Sequence, residues 1–550
     1  MVNWHTPESS RGLDTLPVHQ QYSNRGPSET EKGGRGGDAI THSVHCNLTI
    51  LITLTILTML LLPALQKVLS TSATLSTPDI KHLFGPILSP GAAIYLASEP
   101  NYESHVSQRW TTHEAPSYIA TIQPATIGDV QNTVKIASDH SIPFLATGGG
   151  HGVSVQMAEL QNGIQIDLRH FNHVNYDVKT QRLTVGGSTT FSQLIGPLSA
   201  AGAQFPLGTA YCVGIVGATL GAGVSANQGY AGLLSDLLEE VELVTAAGTG
   251  ITSSRTENED LFWAIRGAGA NFGIITSATY RVPPSVNGGN VTNANFFFTE
   301  RKALDVFKYI ESLDDGMSER LALNIAIYFD RKSQEVVLLV NVNFFGPTDV
   351  ATGHIEPLIA LRPTRFEVLD VTWPAVFATS YFGIEDTKAC SRNQHVNMRS
   401  VGARSTNPGA LLKVLEELKS FSEAHPDIGA SMVIHRFATQ QVLQVRDEDS
   451  AYPHRQLKMH IQLETEYDDR RHDSIVDSFL NAARHNVTAV SGFDHPAVYV
   501  NFAHGDEGPE AWYGARNLER LARTKKKWDP NGLFNFYNTP RPLKLSNNEL

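Results

Sequence analysis

Glycines gather in three clusters, and these clusters constrain the fold of the chain more than any other feature. They read TGGGHG at 147–152, VGIVGATLGAG at 213–223 and RGAGANFG at 266–273. Consecutive glycines let backbone N–H groups converge on an anion, because no Cβ blocks a close approach. One such cluster would favour a simple turn, but three close together predict a site for a phosphate-bearing cofactor.

Two familiar nucleotide-binding motifs do not fit the clusters. The P-loop pattern Gly-x-x-x-x-Gly-Lys-Ser/Thr does not occur. The run Gly221–Gly223 with Ala226 matches part of the dinucleotide-binding fingerprint, but it does not follow a clean strand. The first cluster does follow a strand, but it carries Val153 where the third glycine belongs. The sequence therefore argues against a Rossmann site.

His151 lies inside the first glycine cluster, where little core is at hand for an imidazole to pack into. Its side chain could contact a phosphate, ligate a metal or bond covalently to a cofactor. No second histidine or carboxylate follows at ligand spacing, so no metal is expected here.

The first part of the chain resembles a leader and a membrane anchor. Residues 1–45 are polar and predict a disordered leader, whereas 46–66 predict a transmembrane segment, since the run Asn47–Leu65 has no charge. A buried core helix is the alternative. We expect a single-pass protein of the secretory pathway, with residues 67–109 leading into the enzyme. Glycosylation sequons occur at Asn47, Asn290 and Asn486.

Residues 110–285 alternate strands with short helices and contain all three glycine clusters. Thr126, with Asp129 three residues later, predicts a helix start, and Val130, Val134 and Ala137 share one face of that helix. A short strand precedes the first cluster. This segment is the predicted cofactor domain.

Residues 286–490 change character. Long alternating or apolar runs predict an antiparallel sheet with helices on one face, which makes the whole fold α+β. Residues 491–550 predict a strand at Ala497–Phe502 and one long helix at Pro509–Lys527.

Charge and cysteine content exclude several classes of protein. Lys and Arg number 43 against 55 Asp and Glu, a net charge of −12, which argues against a nucleic-acid binder. Three cysteines are too few for a disulfide-dense scaffold or a multi-cysteine zinc module.

Together the motifs resemble the berberine bridge enzyme-like flavoprotein oxidases, within the vanillyl-alcohol oxidase/p-cresol methylhydroxylase (PCMH) superfamily. The resemblance rests on TGGGHG, VGIVGATLGAG, NEDLFWAIRGAGANFG and the terminal YVNF…WYG…WDPNGLF, and it covers 110–540. The chain is most similar to fungal FAD-linked oxidoreductases of specialised metabolism. The resemblance implies a two-subdomain PCMH-type FAD-binding domain (110–285), a substrate domain (286–490) and a C-terminal segment (491–550) that completes the FAD site.

The resemblance also implies that FAD is bound covalently through His151, at the flavin 8α-methyl. The same loop would offer backbone N–H groups to the pyrophosphate, from Gly148, Gly149, Gly150 and Gly152. Residues implied along the flavin ring and the ribityl chain are Gly208, Gly214, Gly217, Thr219, Gly221, Gly223, Asn271, Phe272, Gly273, Ile274, Tyr499 and Asn501.

Three positions depart from the family pattern. Ala210 stands where bicovalent members carry a second flavin-linked cysteine, and Cys212 follows two residues later. We therefore expect a single covalent bond, with Cys212 packed as a small apolar residue. Ala222 replaces the middle glycine of the second cluster. Phe502 occupies the position at which several plant members place a Tyr or His base.

The base must then come from elsewhere. The run Pro453–Arg455 resembles a family motif, and the strand after it should face the flavin. His460, Gln462 and Glu464 alternate to one side of that strand. The candidate catalytic residues are Glu464, His460 and Tyr499, with Tyr381 and Tyr328 as further candidates.

The implied reaction is oxidation of a small organic secondary metabolite. A substrate C–H loses hydride to the flavin, a base takes the accompanying proton, and O₂ accepts the electrons as H₂O₂. The product could also be a cyclised compound, if an internal nucleophile captures the oxidised carbon. Alternatives are a dehydrogenase with a non-oxygen acceptor, a carbohydrate or alcohol oxidase, and a catalytically silent flavin-binding protein.

Overall fold

The computed structural model describes residues 77–384 and 389–540. The predicted leader and the predicted anchor at 46–66 lie outside these residues. Within the described ranges, no helix is both long enough and apolar enough to cross a membrane.

The helices in this part of the chain are mostly short and fall between strands, with the longest in the second half. In chain order they are α1 (Thr77–Phe84), α2 (Tyr102–His105), α3 (Ile127–Asp139), α4 (Phe191–Ala200), α5 (Ile215–Leu220), α6 (Gln228–Ala231), α7 (Leu234–Leu237), α8 (Glu259–Ala268), α9 (Ala303–Ser312), α10 (Thr348–Ala360), α11 (Val376–Thr379), α12 (Pro408–Ala424), α13 (Asp473–Thr488), α14 (Pro509–Tyr513) and α15 (Ala515–Trp528).

The first sheet has four strands in the order β1-β2-β4-β3. They are β1 (Ala93–Leu96), β2 (Tyr118–Gln123), β3 (Phe144–Thr147) and β4 (Gly163–Asp167). β4 pairs in parallel with both β2 and β3, and its five residues are all buried. The first glycine cluster begins at the end of β3, as predicted from the sequence.

The helix start predicted at Thr126 is confirmed. The Thr126 hydroxyl accepts a hydrogen bond from the Asp129 N–H (3.1 Å), and the Asp129 carboxylate accepts one from the Thr126 N–H (2.9 Å). This capping box starts α3, whose Val130, Val134 and Ala137 pack in the core of the first sheet.

The second sheet has five antiparallel strands in the order β5-β6-β9-β7-β8. They are β5 (Val174–Asp177), β6 (Arg182–Gly186), β7 (Leu238–Val244), β8 (Gly250–Ser254) and β9 (Ile274–Arg281). The second glycine cluster includes α5, and the third runs from the last residues of α8 to the residue before β9. All three clusters therefore fall in the connections of the first two sheets.

The third sheet has seven antiparallel strands in the order β13-β10-β12-β11-β15-β16-β14. They are β10 (Asn290–Thr299), β11 (Leu321–Asp330), β12 (Glu335–Phe344), β13 (Arg365–Thr372), β14 (Val396–Ala403), β15 (Gly429–Phe437) and β16 (Met459–Glu466). One face packs with α9, α10, α12 and α13 around the largest apolar core. The predicted antiparallel sheet covered on one face by helices, and with it the α+β class, is confirmed.

Two predictions for the C-terminal segment are wrong. The predicted strand at Ala497–Phe502 is an extended stretch ending in a 3₁₀ turn at Val500–Phe502, because its backbone bonds to α14 (Val498 N–H to Ala511 O, 3.0 Å). The predicted helix at Pro509–Lys527 is two helices, since Gly514 between them has φ +69° and breaks the helical path.

A buried ion pair ties α7 to the segment before β16. Arg455, whose side chain is 1% exposed, donates to both oxygens of the Asp236 carboxylate (3.0 and 2.8 Å) and also to Val442 O and Ser450 Oγ. Arg455 belongs to the motif singled out in the sequence. This bidentate pair fixes where the chain enters β16, the strand that carries Glu464.

We expect Asp236→Ala to cost about 3–5 kcal/mol of the free energy of unfolding, because it leaves the Arg455 guanidinium buried without its charge partner. Chemical denaturation followed by circular dichroism measures the change. The matched control is Glu519→Ala, which removes an exposed pair with Arg523 and should cost about 0.5 kcal/mol or less. Equal losses in the two variants would contradict this role.

Candidate active site

A cavity of about 1000 Å³ lies between the glycine clusters and the helix-free face of the third sheet. Its volume is at the upper end of the range for small-molecule sites. One end is walled by the first two glycine clusters, the other by strands of the third sheet, and the C-terminal segment closes one side. A site this long can hold a large cofactor and a substrate in one continuous space.

Backbone forms much of the glycine-lined wall. A Cβ placed on Gly149 would lie 2.5 Å from the Gly214 nitrogen, so the first two clusters touch backbone to backbone. A Cβ on Gly217, by contrast, would meet nothing within 4 Å, and this residue lines the cavity. The glycines therefore both let the loops meet and leave room beside them for a ligand.

His151 lies in this wall, within the glycine-lined end. Its Nε2 atom is buried and has no hydrogen-bond partner among the described residues. Burial, with smaller contributions from Arg392 and Arg109, lowers the pKa of His151 to about 3, so the imidazole is neutral near pH 7. An unsatisfied buried nitrogen is costly in a protein, and a bond to a cofactor would satisfy it.

Two arginines donate hydrogen bonds to backbone carbonyl oxygens of the first glycine loop. Arg392 donates to Gly149 O (2.8 Å) and Arg109 donates to Gly152 O (2.5 Å). Both guanidinium groups stand close to the loop that, by the family resemblance, would bind the pyrophosphate. Their charge favours an anion at that end of the cavity.

The C-terminal segment reaches the glycine clusters through Tyr499 and Asn501. The Tyr499 hydroxyl accepts hydrogen bonds from the Gly223 N–H (3.1 Å) and Asn501 Nδ2 (2.9 Å), and it donates to Ala218 O (3.3 Å). Burial raises the pKa of Tyr499 to about 12, so this hydroxyl stays protonated at neutral pH. Tyr499 and Asn501 both line the cavity, as the resemblance implies.

Strand β16 brings Glu464 and Gln462 to the substrate end. The predicted common face is confirmed: Met459, Ile461 and Leu463 point into the apolar core, and the alternate residues point the other way. Glu464 lies between its cross-strand neighbours Met398 and Ser431, which also line the cavity.

His435 also lines the substrate end, next to Gln462. Its Nδ1 is 2.8 Å from Asn324 Oδ1, and its Nε2 is 3.0 Å from Gln462 Oε1. Burial lowers the pKa of His435 to about 4. Each ring nitrogen faces a side-chain amide, so this neutral imidazole holds the wall of the pocket rather than offering a free proton acceptor.

His460 shares the face of Glu464 but does not line the cavity. Its ring is fully buried against Tyr499 and Phe502 at centroid distances of 5.6 and 6.0 Å. Burial lowers its pKa to about 3. This placement separates His460 from the space where a substrate could lie.

The other residues predicted from the sequence divide into two groups. Those that line the cavity are Gly148, Gly149, Gly150, Gly152, Gly208, Gly214, Gly217, Gly273, Ile274, Tyr328 and Tyr381. Those that lie outside its lining are Thr219, Gly221, Gly223, Asn271 and Phe272.

The second group packs behind the wall. Thr219 Oγ1 bonds with Tyr280 OH (2.9 Å), and a Cβ on Gly221 would collide with the Asn501 side chain. Phe272 belongs to the apolar core of the second sheet. Ala222, which replaces a family glycine, has φ +125° and is fully buried, so this loop keeps a left-handed backbone at an alanine.

The expectation that Cys212 packs as a small apolar residue is wrong. Cys212 forms a disulfide with Cys390, which lies beyond the seven-stranded sheet's β13 in the chain. The pair is far apart in sequence, so no local spacing could have indicated it. The bond ties the segment before the second glycine cluster to the segment that carries Arg392.

Four residues of the site are not predicted by the sequence: Arg109, Arg392, His435 and Tyr537. Arg109 falls in the lead-in segment, and the others stand in no recognisable motif. Tyr537 packs its ring against Gly152, where a Cβ would lie 3.1 Å from Cε2. The aromatic residues Phe536 and Tyr537, just after the WDPNGLF motif, are the one sequence feature that indicates a binding role for this end of the chain.

Comparison with known families agrees with this site. Residues 118–254 match the family of FAD binding domains, and residues 498–539 match the family described as berberine and berberine like. The first match contains the first two glycine clusters, and the second begins one residue before Tyr499.

Curated relatives match over almost their whole length. FAD-linked oxidoreductase azaG of Aspergillus niger is 42% identical over 453 residues, which are 82% of this chain and 97% of the relative. FAD-linked oxidoreductase tazG of Aspergillus terreus is 42% identical over 486 residues, which are 87% of this chain and 98% of the relative.

Solved structures share the fold. The BBE-like 1 protein of Physcomitrella patens has a TM-score of 0.71 at 22% identity, over 85% of this chain and 99% of its own. The carbohydrate oxidase of Microdochium nivale has a TM-score of 0.72 at 22% identity, over 84% and 100% of the two chains. A glucooligosaccharide oxidase of Acremonium strictum, whose structure is described as revealing a novel flavinylation, has a TM-score of 0.72 at 18% identity, over 84% and 99%.

We expect Tyr499→Phe to lower the free energy of unfolding by about 1–3 kcal/mol, because the Gly223 N–H loses its acceptor in a buried position. Thermal unfolding measures the loss. The control is Tyr176→Phe, on the half-exposed strand β5, which should change stability by less than about 0.5 kcal/mol. A Tyr499→Phe protein as stable as this control would show that the hydroxyl does not hold the second glycine cluster.

Proposed function

The chain belongs to the berberine bridge enzyme-like family of FAD-linked oxidoreductases, and we propose that it is an oxidase whose FAD is joined covalently to His151. FAD dependence and oxidoreductase activity follow from the family. The covalent bond, the acceptor O₂, the catalytic base and the class of substrate are the parts that we infer for this chain.

The position of His151 carries the proposal. A neutral imidazole nitrogen, buried and unpartnered within the part of the chain that the structure describes, stands in a wall made of glycine backbone. A neutral nitrogen keeps the lone pair that a bond to a flavin carbon requires. The positive charges of Arg392 and Arg109 also lower the pKa of His151 and so keep the imidazole from taking up a proton.

The glycine clusters and the two arginines would hold the rest of the cofactor. The backbone of Gly148 to Gly152 lines the cavity, and Arg109 and Arg392 place positive charge beside it. Tyr499 and Asn501 brace the second cluster from the other side. The flavin, when bound, supplies a two-electron acceptor, so the protein's task is to orient the substrate and exclude water.

Glu464 is the proton acceptor that the geometry favours. It lines the substrate end of the cavity, whereas His460 lies behind the wall and the Tyr499 hydroxyl is held protonated with its hydrogen bonds made. A carboxylate at this position can take the proton of a substrate hydroxyl or amine as hydride leaves the adjacent carbon.

The lining of the substrate end favours a largely apolar or aromatic molecule. Apolar and aromatic side chains that line the cavity together with Glu464 include Tyr328, Tyr381 and Val433. A flat, weakly polar secondary metabolite would bury its surface against these rings, with one oxygen or nitrogen near Glu464. O₂ is the proposed acceptor, with H₂O₂ as the product.

We expect wild-type protein to keep its yellow colour through acid precipitation, because a covalently bound flavin remains with the denatured chain. His151→Ala should release at least about nine-tenths of its flavin into the supernatant, measured by absorbance near 450 nm. His140→Ala, on the exposed end of α3, is the matched control and should behave as wild type. Flavin released equally from all three proteins would refute the covalent bond while leaving FAD binding intact.

We expect Glu464→Gln to slow flavin reduction about 10²–10⁴-fold, the usual loss when a general base is removed. The measurement is stopped-flow bleaching with a substrate found by screening peroxide release across secondary metabolites. Glu311→Gln, on the exposed face of α9, is the control and should reduce at the wild-type rate. A Glu464→Gln rate within threefold of wild type would exclude this carboxylate as the base.

A further inference from the structure

Two histidines and one aspartate converge at the edge of the seven-stranded sheet, away from the lining of the FAD cavity. Within residues 77–384 and 389–540, His113, His395 and Asp473 form a group whose ligand atoms all lie within 4.8 Å of one another. His113 comes from the lead-in to the first sheet, His395 immediately precedes β14, and Asp473 opens α13. None of the three lines the cavity.

We propose that His113, His395 and Asp473 bind one Zn²⁺ ion, which fastens the lead-in segment to the seven-stranded sheet. The donor atoms are His113 Nδ1, His395 Nε2 and Asp473 Oδ1. Two imidazole nitrogens and one carboxylate oxygen are a donor set that Zn²⁺ takes readily, with water completing a tetrahedron.

The distances fit a shared ion better than direct hydrogen bonds. His113 Nδ1 lies 3.4 Å from His395 Nε2, and His395 Nε2 lies 3.7 Å from Asp473 Oδ1. Direct hydrogen bonds between such atoms would be nearer 2.9 Å. Two ligands held tetrahedrally at about 2.1 Å from a zinc ion stand about 3.4 Å apart, close to both separations.

Tyr467 orients the carboxylate, as ligand-supporting residues do in zinc sites. Its hydroxyl donates to Asp473 Oδ1, the proposed donor atom (2.8 Å). Thr112 Oγ1 stands 3.4 Å from His395 Nδ1, the ring nitrogen opposite the proposed donor, which is a weak contact.

His113 is the most buried of the three donors, with 8% of the residue exposed. His504, whose ring centre is 6.1 Å from that of His113, has its Nδ1 engaged by Arg399 at 2.7 Å. Water is therefore the better fourth ligand.

Chain connectivity gives the ion a structural role. Thr111 pairs with Gln394 in an isolated bridge, and Thr111 Oγ1 exchanges hydrogen bonds with the Val396 backbone. An ion at the adjacent residues would reinforce this junction between distant parts of the chain. The side chains of His395 and Asp473 are 11% and 30% exposed, so the ion can enter and a chelator can remove it.

The test is metal content with thermal stability, on the full-length FAD-loaded protein expressed with ZnSO₄ in the medium. We expect about one zinc per chain by inductively coupled plasma mass spectrometry, and less than about 0.1 in His395→Gln and in Asp473→Asn. The matched control is His140→Gln, an exposed histidine outside the cluster, which should carry one zinc. Each protein's flavin absorbance, measured on the same sample, reports on the FAD site separately.

A chelator distinguishes a bound ion from a simple hydrogen-bond network. EDTA should lower the Tm of wild type and of His140→Gln by a few degrees, on the order expected for loss of a bound ligand, and ZnSO₄ should restore it. The Tm of His395→Gln should not respond to either. Zinc at the same level in His395→Gln and Asp473→Asn as in wild type, or a wild-type Tm that EDTA leaves unchanged, would overturn the proposal.

Discussion

The contact between Gly149 and Gly214 is the constraint on which the rest of the site depends. The loops after β3 and before α5 can meet only because neither residue has a Cβ, which at Gly149 would sit 2.5 Å from a backbone nitrogen. This contact joins the first sheet to the connections of the second. The glycine loops also leave a cavity lined by backbone beside His151. Because these residues lack side chains, the loops can pack closely and the cavity has room for FAD.

The other elements hold this contact in place from outside. Arg392 and Arg109 donate hydrogen bonds to backbone carbonyls of the first loop. The Tyr499 hydroxyl accepts a hydrogen bond from a backbone N–H of the second cluster. The disulfide between Cys212 and Cys390 covalently links the second loop to the segment that carries Arg392. Parts of the chain far apart in sequence thus converge on one wall, which explains why the C-terminal segment belongs to the cofactor site.

Local signals made the first half of this architecture predictable. The capping box at Thr126, the short strand at Phe144–Thr147 and the glycine cluster after it depend on residues close in sequence. The shared face of β16 follows from strand geometry alone. The roles of His151 and of the C-terminal segment were implied by resemblance to a known family. The hydrophobic pattern of the sequence does not indicate either role.

Long-range geometry decided what sequence reasoning missed. The partner of Cys212, the role of Arg392 and the meeting of His113 with His395 all depend on how distant segments fold together. The break at Gly514 and the turn at Val500–Phe502 were missed because apolar patterning does not record a positive φ or a bond to α14. Thr219, Gly221 and Asn271 resemble cofactor residues by motif, yet they pack behind the wall.

Peptide mass spectrometry of the purified, FAD-loaded protein tests the central claim most directly. After proteolysis, the peptide that contains His151 should carry the added mass of FAD, and fragmentation should place that mass on the histidine. Finding this peptide unmodified in yellow protein, or finding the flavin on another residue, would contradict the account.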